Sequence, residues 1–224
     1  MDNIPKEYKK DYINFAGCKI NLSMKPLIPR KETEFWIKKT MQDVGSAGIV
    51  GDVNVLDVFA GSGCIGISIL KHIENSKVDF IEIDKNLIKQ IQLNLKLNKI
   101  NPRKYKVIQS DIFRSFKDRI LGTRYNYIFA NPPYVSIKNK HLIQKSVLDY
   151  EPHLALFGGE DGLLYIRKFL KDARKYLKPG GKIYMEFDCL QKMDLEKLLK
   201  ELNYPNYKIY KDQFKKYRYI CIQN

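Results

Sequence analysis

Asp57-Val58-Phe59-Ala60-Gly61-Ser62-Gly63-Cys64-Ile65-Gly66 joins an apolar run, Val53 to Val58, to a stretch that reads as a helix, Gly63 to His72. A buried strand, a glycine turn and a helix follow one another without a break. Gly61 and Gly63 let the backbone turn tightly and come close to a ligand. The helix N-terminus behind them supplies free N–H groups. The string Gly61 to Gly66 fits the dinucleotide fingerprint G-x-G-x-x-G, which taken alone is a weak signal. An acid about 20 positions further on would then reach ribose hydroxyls. Glu82 and Asp84, at the end of the next strand, both stand there.

Outward from this unit the pattern keeps alternating, as in a doubly wound sheet. Strands are predicted over Lys77–Ile83, Lys104–Gln109, Tyr125–Ala130 and Lys182–Phe187. Helices are predicted over Lys85–Leu97, where Leu87, Ile88, Ile91 and Leu95 share a face, over Leu163–Leu177, stopped by Pro179-Gly180-Gly181, and over Asp194–Leu202. Tyr207–Tyr210 and Arg218–Ile222 read as two last strands joined by a polar turn. Residues 1–47 read as a lead-in of two or three short elements, and 48–224 as the main domain.

At 224 residues and 44% hydrophobic content, one α/β domain with a short extension is expected. No apolar run approaches the ~18–20 residues that span a membrane, and no signal peptide opens the chain. The four cysteines and three histidines are scattered, so no metal site or disulfide framework is expected, and a reducing cytoplasm is. The net charge of +15 suits nucleic acid or an acidic ribonucleoprotein partner, and equally a lysine-rich solvated surface.

The glycine loop and its distant acid suit NAD and S-adenosylmethionine about equally. Three features tip the reading to S-adenosylmethionine. Asp57 precedes the loop, and an anion there suits a cationic amino-acid end, not a pyrophosphate. Ser110-Asp111-Ile112-Phe113 follows the third strand, where Asp111 and Ile112 pair a polar with an apolar group that can frame an adenine. The fourth strand ends in Asn131-Pro132-Pro133-Tyr134. Proline gives up the ladder at once and pushes Asn131 into an extended conformation. The Asn131 amide, one acceptor and two donors on a stiff turn with an aromatic ring three residues on, is a holder for a flat NH2-bearing group. Ligands of such sheets bind at the carboxyl ends of the strands, so these loops should converge on one crevice.

With these residues in view, the chain resembles the glutamine N5-methyltransferases of the HemK/PrmC family, from Phe15 almost to the C-terminus. Leu27-Ile28-Pro29-Arg30-Lys31-Glu32-Thr33-Glu34 looks like its L-I-P-R-x-E-T-E segment, and Leu56 to Ile67 like its cofactor loop. Glu82 followed by Asn94 fits its spacing and favours Glu82 over Asp84 as ribose partner. Asn131 to Val135 is similar to N-P-P-Y-[VI]. Glu151-Pro152, Ala155 to Gly159 and Asp161 to Leu163 match E-P-x-x-A-L-x-G-G-x-x-G-L, and Leu177 to Gly181 and Glu186 to Gln191 follow in order. The chain departs from the pattern at Phe59, where the family has its first loop glycine, and at Asp188, where it has the glycine of E-I-G. Too few residues precede Phe15 for the family's N-terminal helical domain.

The resemblance implies a class I S-adenosylmethionine-dependent methyltransferase: a doubly wound, seven-stranded, mostly parallel sheet with an antiparallel last strand. It implies a cofactor site at Asp57, Phe59, Ala60, Gly61, Ser62, Gly63, Glu82, Asp84, Asp111, Ile112 and Asn131. The reaction implied is methylation of a glutamine side-chain nitrogen, with the Asn131 oxygen and Pro132 carbonyl accepting the two amide N–H bonds. The Tyr134 ring would pack on the amide, and Pro133, Arg30, Glu32, Thr33 and Glu151 would shape the substrate site. The implied substrate is the Gly-Gly-Gln tip of a peptide chain release factor. A glutamine of a large-subunit ribosomal protein, or an exocyclic amine such as adenine N6 in DNA or RNA, are the rivals.

Overall fold

The computed structural model describes residues 4–114 and 124–223. The chain opens with α1 (Lys6–Lys10), a hairpin of β1 (Tyr12–Phe15) and β2 (Cys18–Asn21), and α2 (Lys31–Ser46). Strand and helix then alternate through β3 (Val53–Val58), α3 (Cys64–His72), β4 (Ser76–Glu82), α4 (Lys85–Leu97), β5 (Tyr105–Gln109) and β6 (Tyr125–Ala130). Two short helices, α5 (Lys145–Tyr150) and α6 (His153–Leu156), precede α7 (Leu164–Ala173), β7 (Leu177–Glu186), α8 (Lys192–Glu201), β8 (Tyr207–Lys211) and β9 (Tyr217–Gln223).

The main sheet has seven strands in the order β5-β4-β3-β6-β7-β9-β8. β9, last in the chain, slips between β7 and β8 and runs antiparallel to both, while the other pairs are parallel. The alternation within each strand builds two cores. Val53, Val55, Phe80, Phe129 and Tyr184 pack with the N-terminal elements, α3 and α4. Leu56, Val58, Ile128, Ile183 and Met185 pack with α7 and α8 on the opposite face. The strand order reverses beside β3, at β6, so the crevice between their carboxyl ends is the switch point.

Two stretches depart from expectation. The lead-in holds four elements, one of them the 16-residue α2. Its buried stripe is Thr33, Trp36, Ile37, Thr40 and Val44, and two threonines make that stripe faint as a hydrophobic pattern. Pro179-Gly180-Gly181 lies inside β7 instead of before it. There β7 has a partner on one side only, since pairing with β9 starts at Lys182, and a register irregularity opposite Tyr125 and Tyr127 absorbs the extra residues.

The lead-in is bound to the main sheet by polar ties as well as by core. Asn94 accepts from the Asn21 N–H (2.7 Å) and donates to the Asn21 and Ser62 carbonyls. Asn98, one turn on, makes the same two-way pairing with Lys19. Two side-chain amides, one on α4 and one at its C-terminal cap, thus satisfy the open edge of β2. Among the described residues no helix is long and apolar enough to cross a membrane.

Candidate active site

A cleft of about 1010 Å³, counting its mouth, opens at the carboxyl ends of β3, β4, β5 and β6. Phe59 to Ser62 form one wall, Glu82 to Asp84 a second, Ser110 to Ile112 a third, and Asn131 and Pro133 the floor toward β6. Leu27, Pro29, Arg30 and Thr33 close it from the lead-in, and Leu154, Ala155 and Tyr165 from the far side.

The glycine loop is held from beneath. Glu82 is buried, and its Oε2 accepts from the Gly61 N–H (2.7 Å) while Oε1 accepts from Ile83 and Asp84 N–H groups. Burial pushes its pKa up, and the three N–H bonds oppose that shift. Asp84 caps α4 by accepting from the Asn86 N–H (2.7 Å), and it too lines the cleft. Gly63 takes φ +78° at the start of α3. Phe59 adopts φ +61°, a left-handed conformation that suits glycine and strains a bulky L-residue. Its ring packs edge-on against Tyr165 and Phe169 and forms part of the cleft wall.

Asp57 sits elsewhere than a direct wall contact requires. It is fully buried on the α3 face of β3, where Oδ2 accepts from the Gly66 N–H (2.9 Å). Its Oδ1 is the one buried side-chain polar atom without a partner among the described residues. Burial pushes its pKa up to about 8.

Asn131 stands where the cleft meets a second cavity, lined also by Leu27, Arg30, Pro132, Tyr134, Val135, Val147 and Ala155. Its turn is clamped from three sides. The Val135 N–H donates to Leu156 O (2.9 Å) and the Gly158 N–H to Val135 O (2.8 Å). Gln191 Nε2 donates to the carbonyls of Tyr134 and Asp161. The Tyr134 hydroxyl donates to Glu186 Oε1 (2.9 Å). Glu186 is fully buried, and its Oε2 also accepts from Thr33 Oγ1 (2.7 Å) and Trp36 Nε1 (2.6 Å). Burial and the adjacent carboxylate hold Tyr134 well above the ordinary tyrosine range, so it stays a donor.

Arg30 lines both cavities. It is fixed by Glu151, whose Oε1 accepts from Arg30 (2.7 Å) and whose Oε2 accepts from the Ile28 N–H (3.0 Å). Glu151 is buried and borders neither cavity, so it shapes the site by holding the Ile28–Arg30 wall. Glu32 borders neither cavity either; it lies in the first turn of α2, where an acid suits the helix dipole. Thr33 and Pro133 border the cleft and Pro132 and Tyr134 the second cavity.

Sequence reading passed over Trp36, and placed Glu186 and Gln191 in the family pattern without giving either a part in the site. The signal for Glu186 was an acid closing an otherwise apolar strand, Ile183-Tyr184-Met185-Glu186-Phe187. It also passed over the tightness of the second glycine block. A Cβ on Gly158 would lie 2.6 Å from Pro133 O, and one on Gly162 would lie 2.3 Å from Tyr134 O.

Residues 41–160 match the family described as Methyltransferase small domain. The chain is 32% identical over 219 residues to a release factor glutamine methyltransferase of Bacteroides thetaiotaomicron, covering 97% of this chain and 75% of that protein. It is 31% identical over 219 residues to the corresponding protein of Flavobacterium psychrophilum, with the same two coverages. Among solved structures, the 16S rRNA methyltransferase RsmC of Thermus thermophilus, in complex with AdoMet and guanosine, is similar in fold. Its TM-score is 0.66 at 17% identity, with 95% of this chain and 49% of that one covered. A glycine loop backed by a buried carboxylate at the switch point of a seven-stranded sheet is how a class I fold holds S-adenosylmethionine, and with relatives of this similarity the chain belongs to the release factor glutamine methyltransferase family of S-adenosylmethionine-dependent enzymes.

Proposed function

We propose that the protein methylates the side-chain nitrogen (N5) of the glutamine in the Gly-Gly-Gln motif of a peptide chain release factor. The observation that carries this reading is the place of Asn131, on the boundary between the cofactor cleft and the second cavity. A group held there from the second cavity faces whatever occupies the cleft.

The residues present fit the cofactor. Glu82 has three of its roughly four lone-pair sites filled by N–H groups and can accept a further bond from a ribose hydroxyl. Ile83, Leu87 and Ile112 offer apolar contact for a flat base, with Asp111 beside them. Asp57 lies beneath the loop with its carboxyl turned to the Gly66 N–H (2.9 Å) at the start of α3, so it supports the loop that a cationic amino-acid end would meet. Phe59, Ala60, Gly61, Ser62 and Gly63 form the loop around it. S-adenosylmethionine supplies a methyl group on a sulfonium, which is electrophilic without further activation.

An amide nitrogen is a poor nucleophile because its lone pair is delocalised. The Asn131 oxygen and the Pro132 carbonyl accept its two N–H bonds, aim the lone pair at the methyl group and favour the positive charge gained in attack. The amide nitrogen would take the methyl group as its bond to sulfur breaks, and one of the two N–H protons held by Asn131 and Pro132 would then pass to solvent water. The Tyr134 ring covers the amide plane, and residues 1–47 supply the entrance through Arg30 and Thr33. Four free cysteines suit a reducing cytoplasm.

The test supplies labelled S-adenosylmethionine with release factor, ribosomal protein, DNA or RNA in turn. Label should land on the release factor and vanish when its Gly-Gly-Gln glutamine is changed to alanine. Equal labelling of that variant, or label on nucleic acid or ribosomal protein in its place, refutes the proposal.

A further inference from the structure

We propose that Thr33 and Glu186 are positioning residues that set the polarity of the Asn131 amide, so that its carbonyl oxygen and not its NH2 faces the reacting group. This deepens the proposed function and rests on it.

An ionised carboxylate only accepts, and an indole N–H only donates. Glu186 Oε2 receives Trp36 Nε1–H at 2.6 Å and lies 2.7 Å from Thr33 Oγ1. The one hydroxyl proton of Thr33 is therefore committed to Glu186. What Thr33 has left is lone pairs, and these can only accept. Asn131 Nδ2 lies 3.4 Å from Thr33 Oγ1, at the long end of hydrogen-bond reach. With the amide turned over, oxygen would face oxygen across that gap, with no proton between them. The chain Glu186–Thr33–Asn131 thus runs one way, and it leaves Asn131 Oδ1 free to accept from a substrate N–H.

The same carboxylate fixes the opposite end of the motif. Glu186 Oε1 accepts from the Tyr134 hydroxyl at 2.9 Å. Asn131 and Tyr134 are tied through one buried side chain on β7, to which α2 contributes the other two donors. Burial raises the Glu186 pKa, while the donors Trp36, Thr33 and Tyr134 and the charge of Arg218, itself paired with Asp212 (3.1 Å), oppose that shift and favour the ionised form. Glu186 touches neither cavity, so whatever it does for the reaction passes through the residues it holds.

The test is a double-mutant cycle on the full chain, with a release factor carrying an intact Gly-Gly-Gln and labelled S-adenosylmethionine. Thr33→Val keeps shape and removes the hydroxyl. It should lower kcat about tenfold, less than the ~10²–10³ lost with a preorganised contact to the reacting group itself, with affinity for S-adenosylmethionine within about threefold. Thr33→Ser should restore kcat to within about threefold of wild type. In an Asn131→Ala background, Thr33→Val should lower kcat no further, because the group it orients is gone. A purely structural Thr33 would lower kcat by the same factor in both backgrounds, and that additivity would overturn the relay. Normal kcat in Thr33→Val with impaired Asn131→Ala overturns the relay alone. Normal kcat in Asn131→Ala overturns the relay together with the function on which it rests. If Thr33→Val does not fold, the side-chain amide protons of Asn131 in wild-type protein decide. One proton protected from exchange supports the relay, and two freely exchanging protons overturn it.

Discussion

A single methyl group added at Gly158 should separate cofactor binding from methyl transfer. Gly158 has an ordinary backbone conformation, so alanine there carries no penalty in φ. Its Cβ, however, would lie 2.4 Å from Gly162 O and 2.6 Å from Pro133 O. Ordinary van der Waals contact starts near 3.4 Å, so Pro133 O must retreat by roughly 0.8 Å. Neither neighbour is a side-chain tip that can swing away. Pro133 is locked by its ring and by the clamp at Val135, where the Gly158 N–H itself donates to Val135 O. The turn that carries Asn131 therefore moves as a unit. A misplacement near 1 Å typically costs about 10²-fold in rate. Overpacking of this kind costs about 1–3 kcal/mol of stability, and for a chain of this size each kcal/mol lowers Tm by roughly 2–4 °C. Of the cofactor cleft only the Asn131 and Pro133 floor is displaced, so affinity for S-adenosylmethionine should fall by far less than kcat. The assay is steady-state methylation of release factor, with calorimetry for the cofactor and a thermal melt. A variant with wild-type kcat and Tm would show that this close approach does not position Asn131.

Tyr134→Phe should destabilise by about 1–3 kcal/mol, because Glu186 Oε1 loses its donor in a dry site, and a melt unchanged within 1 °C or so would contradict that. Glu151→Ala should raise KM for the protein substrate by freeing Ile28 and Arg30. Its stability cost should be about 1–3 kcal/mol, below that of a fully buried pair because Arg30 is 33% exposed; an unaltered KM would remove Glu151 from the entrance. Stability of the cofactor-free protein should fall as pH rises from about 4 to about 8. Folded Asp57 keeps its proton up to about 8, whereas the unfolded chain loses it near the ordinary value of about 3.9, so the unfolded state binds fewer protons across that window. Asp57→Asn should flatten the slope of urea midpoints between pH 5 and 8. An unchanged slope would refute the assignment.

The units that hold the cofactor were legible in the chain because each is built from neighbours in sequence. Val53–Val58 with its glycine turn, and Tyr125–Ala130 with its Asn-Pro-Pro-Tyr end, carry their instructions locally: a near-continuous apolar run buried on both faces, a φ only glycine accepts readily, a proline without an N–H. Parallel strands fed by such turns must put all their loops on one edge, so the meeting of Gly61, Glu82, Ile112 and Asn131 in one cleft followed from the order of elements. The support of that cleft depended on the folded chain. Glu186 meets Thr33 across 153 positions and Glu151 meets Ile28 across 123, and no local pattern encodes a partner so far away. Asp57 made the same point in reverse. Its place before the glycine loop could be read, yet which way its carboxylate points was set by the pleat of β3, which turns it under α3 and away from the cleft. The local sequence determined which groups stand at the strand ends. Tertiary packing decided which of them face the ligands and which hold the others still.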